Sequence, residues 1–376
     1  MGAVSDRGQS KMAEIRLENL RKEFGDLVAV RDITITFPTS TVTCLLGPSG
    51  CGKTTLMRMI AGLEEPTAGE IYFDDQRVTD LSPSQRNIGM VFQYPVVYRG
   101  ITVYQNIELP LLEDRLPEQE RRQRIEEVAE ILGLQDSLQK YTDQLDTGTR
   151  QKVSVARAVA RQPKIILFDE PITNVDVEAK VQLKTALKRL TRQHRQTIIY
   201  VTHDQTEAMT LADEIALMNE GEIVQRDTPR ALYNRPNTVF GGWFLGNPGM
   251  NFVPYQVDPV DGRAQLGSPL FAQPVHVSGL GNHRQVSIGI RPEKIRISPE
   301  PSPAAVAGQV ERKSIVVGGQ YLLAIRVGEQ IIKAKVRPEM GQQIANSVWM
   351  ECPLDAITVF GTDGHQLPVT LSAERG

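Results

Sequence analysis

Residues Gly47-Pro48-Ser49-Gly50-Cys51-Gly52-Lys53-Thr54 bring glycines, a lysine and a hydroxyl into one short stretch. The pattern is G-x-x-x-x-G-K-[ST], placed between an apolar run, Thr41 to Leu46, and a helical stretch. Glycines let backbone N–H groups curl around phosphates, and a helix N-terminus behind them adds positive potential. Lys53 then reaches the terminal phosphates, and Thr54 can ligate Mg²⁺. Further along, Ile165-Ile166-Leu167-Phe168 ends in Asp169-Glu170. Such an apolar strand delivers two adjacent carboxylates at its C-terminal end, where open α/β sheets bind ligands. Successive residues point differently, so Asp169 can orient Mg²⁺ and its water while Glu170 polarises the attacking water. An acid-tipped strand is commonplace by itself; the loop upstream gives it meaning. His203, following Thr197 to Val201, can donate to a γ-phosphate oxygen near neutral pH, although a histidine at a strand end is more often a surface or core residue. Gln93, after Ile88 to Phe92, can reach the metal or the water through its amide, and alone is weak evidence.

The elements that must position these groups follow from hydrophobic patterning. From Ala13 to about Phe240, short β-rich runs alternate with amphipathic stretches, which predicts an α/β layered domain with a parallel sheet over residues 13–240. Thr41 to Leu46, Ile165 to Phe168 and Thr197 to Val201 read as buried strands. Residues 102–162 read as an inserted helical subdomain, with Glu118 to Leu132 apolar at Ile125, Val128, Ala129 and Leu132. Beyond Tyr233, prolines and glycines punctuate the chain and mark a domain boundary. The alternating segments Gln285 to Ile290, Lys294 to Ile297, Tyr321 to Val327 and Gln330 to Val336 predict a small β-barrel or sandwich over 241–376.

Composition bounds the function. The 376 residues suit two compact units. A formal net charge of -3 gives no global attraction for nucleic acid or anionic lipid. Cys44, Cys51 and Cys352 are too scattered for a disulfide framework or a zinc pair, so a reducing compartment is expected. Residues 1–12 lack the apolar core of a secretion signal and are expected to be a disordered leader. No apolar run approaches the roughly 20 residues needed to span a bilayer, so a membrane role has to go through a partner.

Taken together, these residues resemble the ATP-binding-cassette ATPase family over nearly the whole chain. The resemblance implies a P-loop NTPase α/β fold with an inserted helical subdomain, followed by a small, oligonucleotide-binding-like β-barrel with a regulatory role. It implies that Phe24 stacks on adenine, the rival explanation for an aromatic there being core packing. It further implies that Gly47 to Thr55 is the Walker A loop, Gln93 the Q-loop glutamine, and Asp169 with Glu170 the Walker B pair. Asp176, in Thr173-Asn174-Val175-Asp176, is similar to the D-loop aspartate, and His203 to the switch histidine. The stretch Val91 to Ile107, the junction Phe244-Leu245-Gly246-Asn247-Pro248-Gly249-Met250-Asn251-Phe252 and Gly289-Ile290-Arg291-Pro292-Glu293-Lys294 resemble importers of the maltose and glycerol-3-phosphate type. The expected function is therefore an ATP- and Mg²⁺-dependent ATPase subunit powering uptake of a carbohydrate, polyol or glycerol-phosphate-like solute. It is expected peripherally, on the cytoplasmic face of the inner (plasma) membrane. The implied partners are a second ATPase subunit, two permease subunits and an external solute-binding protein, with no nucleic acid.

One motif departs. Where the family has L-S-G-G-Q, this chain reads Leu145-Asp146-Thr147-Gly148-Thr149. In the family two ATPase domains pack head to tail, and each signature loop closes over ATP held by the other. Asp146 sets an anion beside an anion; a like-charge pair about 4 Å apart at an effective dielectric near 20 costs on the order of 4 kcal/mol. An asymmetric heterodimer with a related ATPase is therefore favoured over a homodimer. Asp146 can equally be a helix cap, a role in which Asp and Ser are nearly equivalent. The alternatives are a regulatory or homodimeric ATPase for another solute class, or a soluble P-loop phosphotransferase. A kinase or GTPase would share Lys53 and Asp169 but require an acceptor pocket or guanine-specific motif that is not found.

Overall fold

The computed structural model describes residues 13–172, 177–194, 196–316 and 318–373. The chain divides into two compact units, one ending at Arg230 and one beginning at Ala231. Thr173 to Asp176, which hold the expected D-loop, and the leader 1–12 lie outside the described residues.

The apolar runs of the first unit lie side by side because no face of them is polar. Ile165–Asp169 and Thr197–Thr202 are buried at every position, as strands covered on both faces must be. They pair in parallel with each other, and Val42–Leu46 pairs in parallel with Thr197–Thr202. Gly89–Val91 extends this sheet beyond Ile165–Asp169, and Glu214–Asn219 extends it beyond Val42–Leu46. Glu222–Asp227 closes that edge antiparallel. A second sheet, antiparallel and not foreseen from the pattern, is ordered Leu27–Phe37, Ile15–Phe24, Ala68–Phe73, Gln76–Arg77. Both sheets and the helix Lys53–Ala61 share one core, in which Leu17, Phe37 and Ile71 meet Leu45, Met57, Leu167 and Val201.

The inserted segment is helical over Val103–Glu113, Glu118–Leu132 and Thr147–Ala160. Glu118–Leu132 buries Ile125, Val128, Ala129 and Leu132, the stripe its periodicity predicts. Among the described residues no helix is long and apolar enough to cross a membrane.

The second unit consists of antiparallel sheets curled around their own core in a small barrel-like domain, with Val253, Ile288, Ile325 and Met350 inside. Its five-stranded sheet contains Tyr321–Val327 and Gln330–Val336 as expected. The strand expected from Lys294 begins instead at Arg296, because Pro292–Lys294 forms a 3₁₀ turn. Proline there cannot donate to a ladder.

A buried arginine holds the far end of the helix Lys53–Ala61. The Arg86 guanidinium donates to the carbonyls of Met59 at 2.6 Å, Ile60 at 2.8 Å, Thr79 at 2.7 Å and Leu81 at 3.0 Å. Two of these are last-turn carbonyls, of which Met59 O also accepts from Gly62 N at 3.1 Å. Arg86→Met keeps the stem and removes the donors, and is expected to lower unfolding free energy by about 3 kcal/mol. Urea unfolding measures this; a midpoint equal to that of the parent chain would show that these bonds contribute nothing.

Candidate active site

Three neighbouring parallel strands end at one side of the sheet, and each carries part of the site. Val42–Leu46 runs into the loop that starts the helix Lys53–Ala61. Gly50 has φ 80° and Gly52, the residue before the helix, φ 99°. That is the left-handed region, which glycine enters without steric cost. A Cβ on Gly52 would in addition overlap the carbonyl oxygen of Ala29, whereas one on Gly50 meets nothing within 4 Å. The buried Lys53 ammonium donates to Gly47 O at 2.9 Å and Pro48 O at 2.8 Å and lies 3.7 Å from Cys51 Sγ. Burial raises the Cys51 thiol above its usual range, so it is a poor nucleophile despite its place in the loop.

Ile165–Asp169 ends beneath that helix. Thr54 Oγ1 donates to Asp169 Oδ1 at 3.2 Å. Burial pushes the Asp169 carboxyl above the usual carboxylate range, with the Thr54 hydrogen bond opposing the shift. Glu170 turns sharply out of the strand with φ 44°, an uncommon conformation for a residue with a side chain. Its N–H donates to Val201 O at 3.0 Å. Thr197–Thr202 leads to His203, whose Nδ1 lies 3.0 Å from Glu170 Oε2.

Phe24, Ser49, Gly50, Gly52, Lys53, Thr54, Thr55 and Glu170 share the wall of one cavity of about 520 Å³. Phe24 is 47% exposed there, with the Lys22 ammonium 4.8 Å from its ring centre, so packing in the core does not explain it. Gly47, Pro48, Cys51 and Asp169 stand behind the wall, tied to Lys53 and Thr54, and His203 touches Glu170. Residues not singled out from sequence complete the cavity: Leu27, Val28, Ala29 and Arg31 from one hairpin, Glu220 and Gly221 from another. Gly221 N donates to Cys51 O at 3.1 Å, and Arg31 N to Gly221 O at 2.9 Å, so the second hairpin turn is fastened to the phosphate loop. The Glu220-Gly221 pair between alternating strands is a hairpin signal; nothing local connects it to residue 51.

Gln93 lies half-buried after Gly89–Val91 and is not in the cavity wall. The same holds for Leu145, Asp146, Thr147, Gly148 and Thr149, which open the helix Thr147–Ala160. Asp146 caps that helix: Oδ1 accepts from Thr149 N at 2.8 Å, and Oδ2 from Thr149 Oγ1 at 2.7 Å. The backbone bond from Thr149, then its hydroxyl, hold this carboxyl below its usual range. The same helix grips the segment that carries Gln93: Gln151 Nε2 donates to Phe92 O at 3.1 Å and Ser154 Oγ to Val96 O at 3.2 Å.

Residues 30–173 match the family model described as ABC transporter. Over 347 residues the chain is 41% identical to the trehalose/maltose import ATP-binding protein MalK of Thermococcus litoralis, covering 87% of this chain and 92% of that protein. The chain belongs to the ABC transporter family. It is also 36% identical over 356 residues to the sn-glycerol-3-phosphate import ATP-binding protein UgpC of Yersinia enterocolitica, covering 94% of this chain and 98% of that one. Among solved structures it resembles a dimeric ATP-binding cassette in a post-hydrolysis state bound to ADP and Pi, with TM-score 0.52 and 30% identity over 57% of this chain and 99% of that chain. As an ABC transporter ATPase, the chain uses ATP with Mg²⁺ in transport. The donor set fits the ion: the Thr54 hydroxyl and Asp169 carboxylate, 3.2 Å apart, are hard oxygen ligands of the kind Mg²⁺ takes beside substrate phosphates.

The two loop glycines separate strain from overlap. Gly52→Ala combines both and is expected to weaken Mg-ATP binding by at least about tenfold, or roughly 1.4 kcal/mol. Gly50→Ala, strained but unobstructed, is expected to lose less. Equilibrium nucleotide titration of the two variants checks the order, and equal affinities would contradict it.

Proposed function

We propose that the chain is the ATP-hydrolysing subunit of a bacterial importer for a carbohydrate, polyol or glycerol-phosphate-like solute. In this reading it sits peripherally on the cytoplasmic face of the plasma membrane, against two permease subunits fed by an external solute-binding protein. The import function of both relatives, each covered nearly end to end, supports it. So does the outward row Phe92, Tyr94, Val96 and Tyr98, an apolar surface on the segment expected to meet the permease. The domain assignment proposed is an ATPase domain over 13–240 and a regulatory barrel over 241–376.

Phe24 then stacks on the adenine, the loop from Gly47 to Thr55 and Lys53 hold the phosphates, and Thr54, Asp169 and Gln93 serve Mg²⁺. Glu170 accepts a proton from the attacking water as the new O–P bond forms and the bond to the ADP oxygen breaks, while His203 donates to the γ-phosphate. The observation that carries this assignment is the 3.0 Å approach of His203 Nδ1 to Glu170 Oε2 beside the phosphate-loop cavity. Glu170→Gln is expected to cut turnover by on the order of 10²–10⁴ while Mg-ATP still binds. Unchanged solute flux in that variant would instead favour a regulatory chain.

The Asp146 cap supports an asymmetric pair with a second ATPase that supplies an intact signature. Both its oxygens are engaged by Thr149 and its carboxyl is held ionised. A charge is therefore fixed at the helix end where a γ-phosphate has to dock, at a cost on the order of 4 kcal/mol. The chain alone is expected to hydrolyse ATP slowly, and Asp146→Ser to accelerate it. Equal rates for the two homodimers would remove the heterodimer from the proposal.

A further inference from the structure

His203 stands on an exposed strand-to-helix turn, yet the Nδ1 contact with Glu170 requires that turn to hold one conformation. The residues beneath it are buried and polar. Glu207 is 3% exposed, and its Oε2 accepts from Thr202 Oγ1 at 2.7 Å and from Tyr200 OH at 3.3 Å. The Thr202 hydroxyl in turn accepts the N–H of Asp204 at 2.9 Å. A hydroxyl has one proton. With that proton committed to Glu207, the Thr202 lone pairs face the Asp204 amide, and the peptide that follows His203 is fixed. Asp204 fastens the far side by capping Gln205–Leu211, its Oδ1 accepting from Thr206 N at 2.7 Å and Glu207 N at 3.2 Å. A carboxylate is costly to bury unless it is hydrogen-bonded, and here its bonds run to the hydroxyl that sets the turn.

We propose that Glu207 is a positioning residue for hydrolysis, acting through Thr202 to hold His203 against Glu170. The proposal rests on the assignment of His203 and Glu170 given above. The test measures kcat, KM and nucleotide affinity for Glu207→Ala, Glu207→Gln, Thr202→Val and His203→Ala in the full chain within the assembled transporter. Glu207→Ala is expected to lower kcat about tenfold with KM and affinity within about twofold, the mark of lost positioning and not of a damaged nucleotide pocket. Glu207→Gln, whose amide oxygen still accepts from Thr202, is expected to recover most of that loss. Thr202→Val should match Glu207→Ala, and the double variant should be no slower than either, since both break one link. Wild-type kcat in Glu207→Ala, a Gln variant as slow as Ala, or additive losses would overturn the proposal. If Glu207→Ala does not fold, wild-type kcat in Thr202→Val overturns it equally. Full activity in His203→Ala would strike the underlying assignment of the site instead.

Discussion

A buried ammonium must find oxygen, and Lys53 finds it in its own loop. Its Nζ sits between the carbonyls of Gly47 and Pro48 at 2.9 and 2.8 Å, so the loop is bent around the cation before any ligand is considered. Charge-assisted bonds of this kind are stronger than neutral ones, and they fix where the helix Lys53–Ala61 begins. Thr54 follows within that first turn, which is why its hydroxyl arrives over Asp169. The curvature leaves no room on the opposite side, where Gly52 faces the carbonyl of Ala29. A lysine that folds back and a glycine that admits no side chain are two aspects of one tight loop.

Parallel register brings the rest to that loop. Leu46 lies opposite Thr202, and Asp169 opposite Val201, so the three chains leave the sheet at nearly one level. The next residue of each is a site residue: Gly47, Glu170 and His203. Glu170 is fastened to Val201 by its backbone N–H while its side chain meets His203. Strand pairing thus sets backbone positions, and a few side-chain bonds set the final distances. The left-handed turn at Glu170 costs on the order of 1–3 kcal/mol, and that backbone bond to the neighbouring strand offsets part of it.

Much of this was legible in the residues because its causes are local. Eight consecutive residues specify the phosphate loop, uniform apolarity specifies the buried strands, and the spacing of Ile125, Val128, Ala129 and Leu132 specifies a helix face. What escaped depends on distant partners. Glu220 and Gly221 wall the cavity through a bond from residue 221 to residue 51, and Arg86 caps a helix that ended long before it. Neither residue type, nor its neighbours, carries that information. Phe24 was ambiguous for another reason: adenine stacking and core packing ask for the same side chain, and its exposure removes only the second. The antiparallel sheet around Ile15–Phe24 was missed because its strands, interrupted by bulges and positive-φ residues at Asn19 and Asp32, blur the alternation of period two.

The expected signature loop separates what a fold requires from what a reaction requires. A helix N-cap needs one oxygen that accepts from a backbone N–H in the first turn, and Asp146 supplies it to Thr149 as well as serine would. A phosphate site at the same place needs donors and positive potential. Serine offers a proton in that second role; an ionised aspartate, with both oxygens already turned toward Thr149, offers none. The helix therefore forms, packs and grips Phe92 and Val96 with either aspartate or serine at 146. Only contact with a second domain's ATP would register the difference. Helix stability asks only for an accepting oxygen at this position, so the fold by itself does not choose between aspartate and serine.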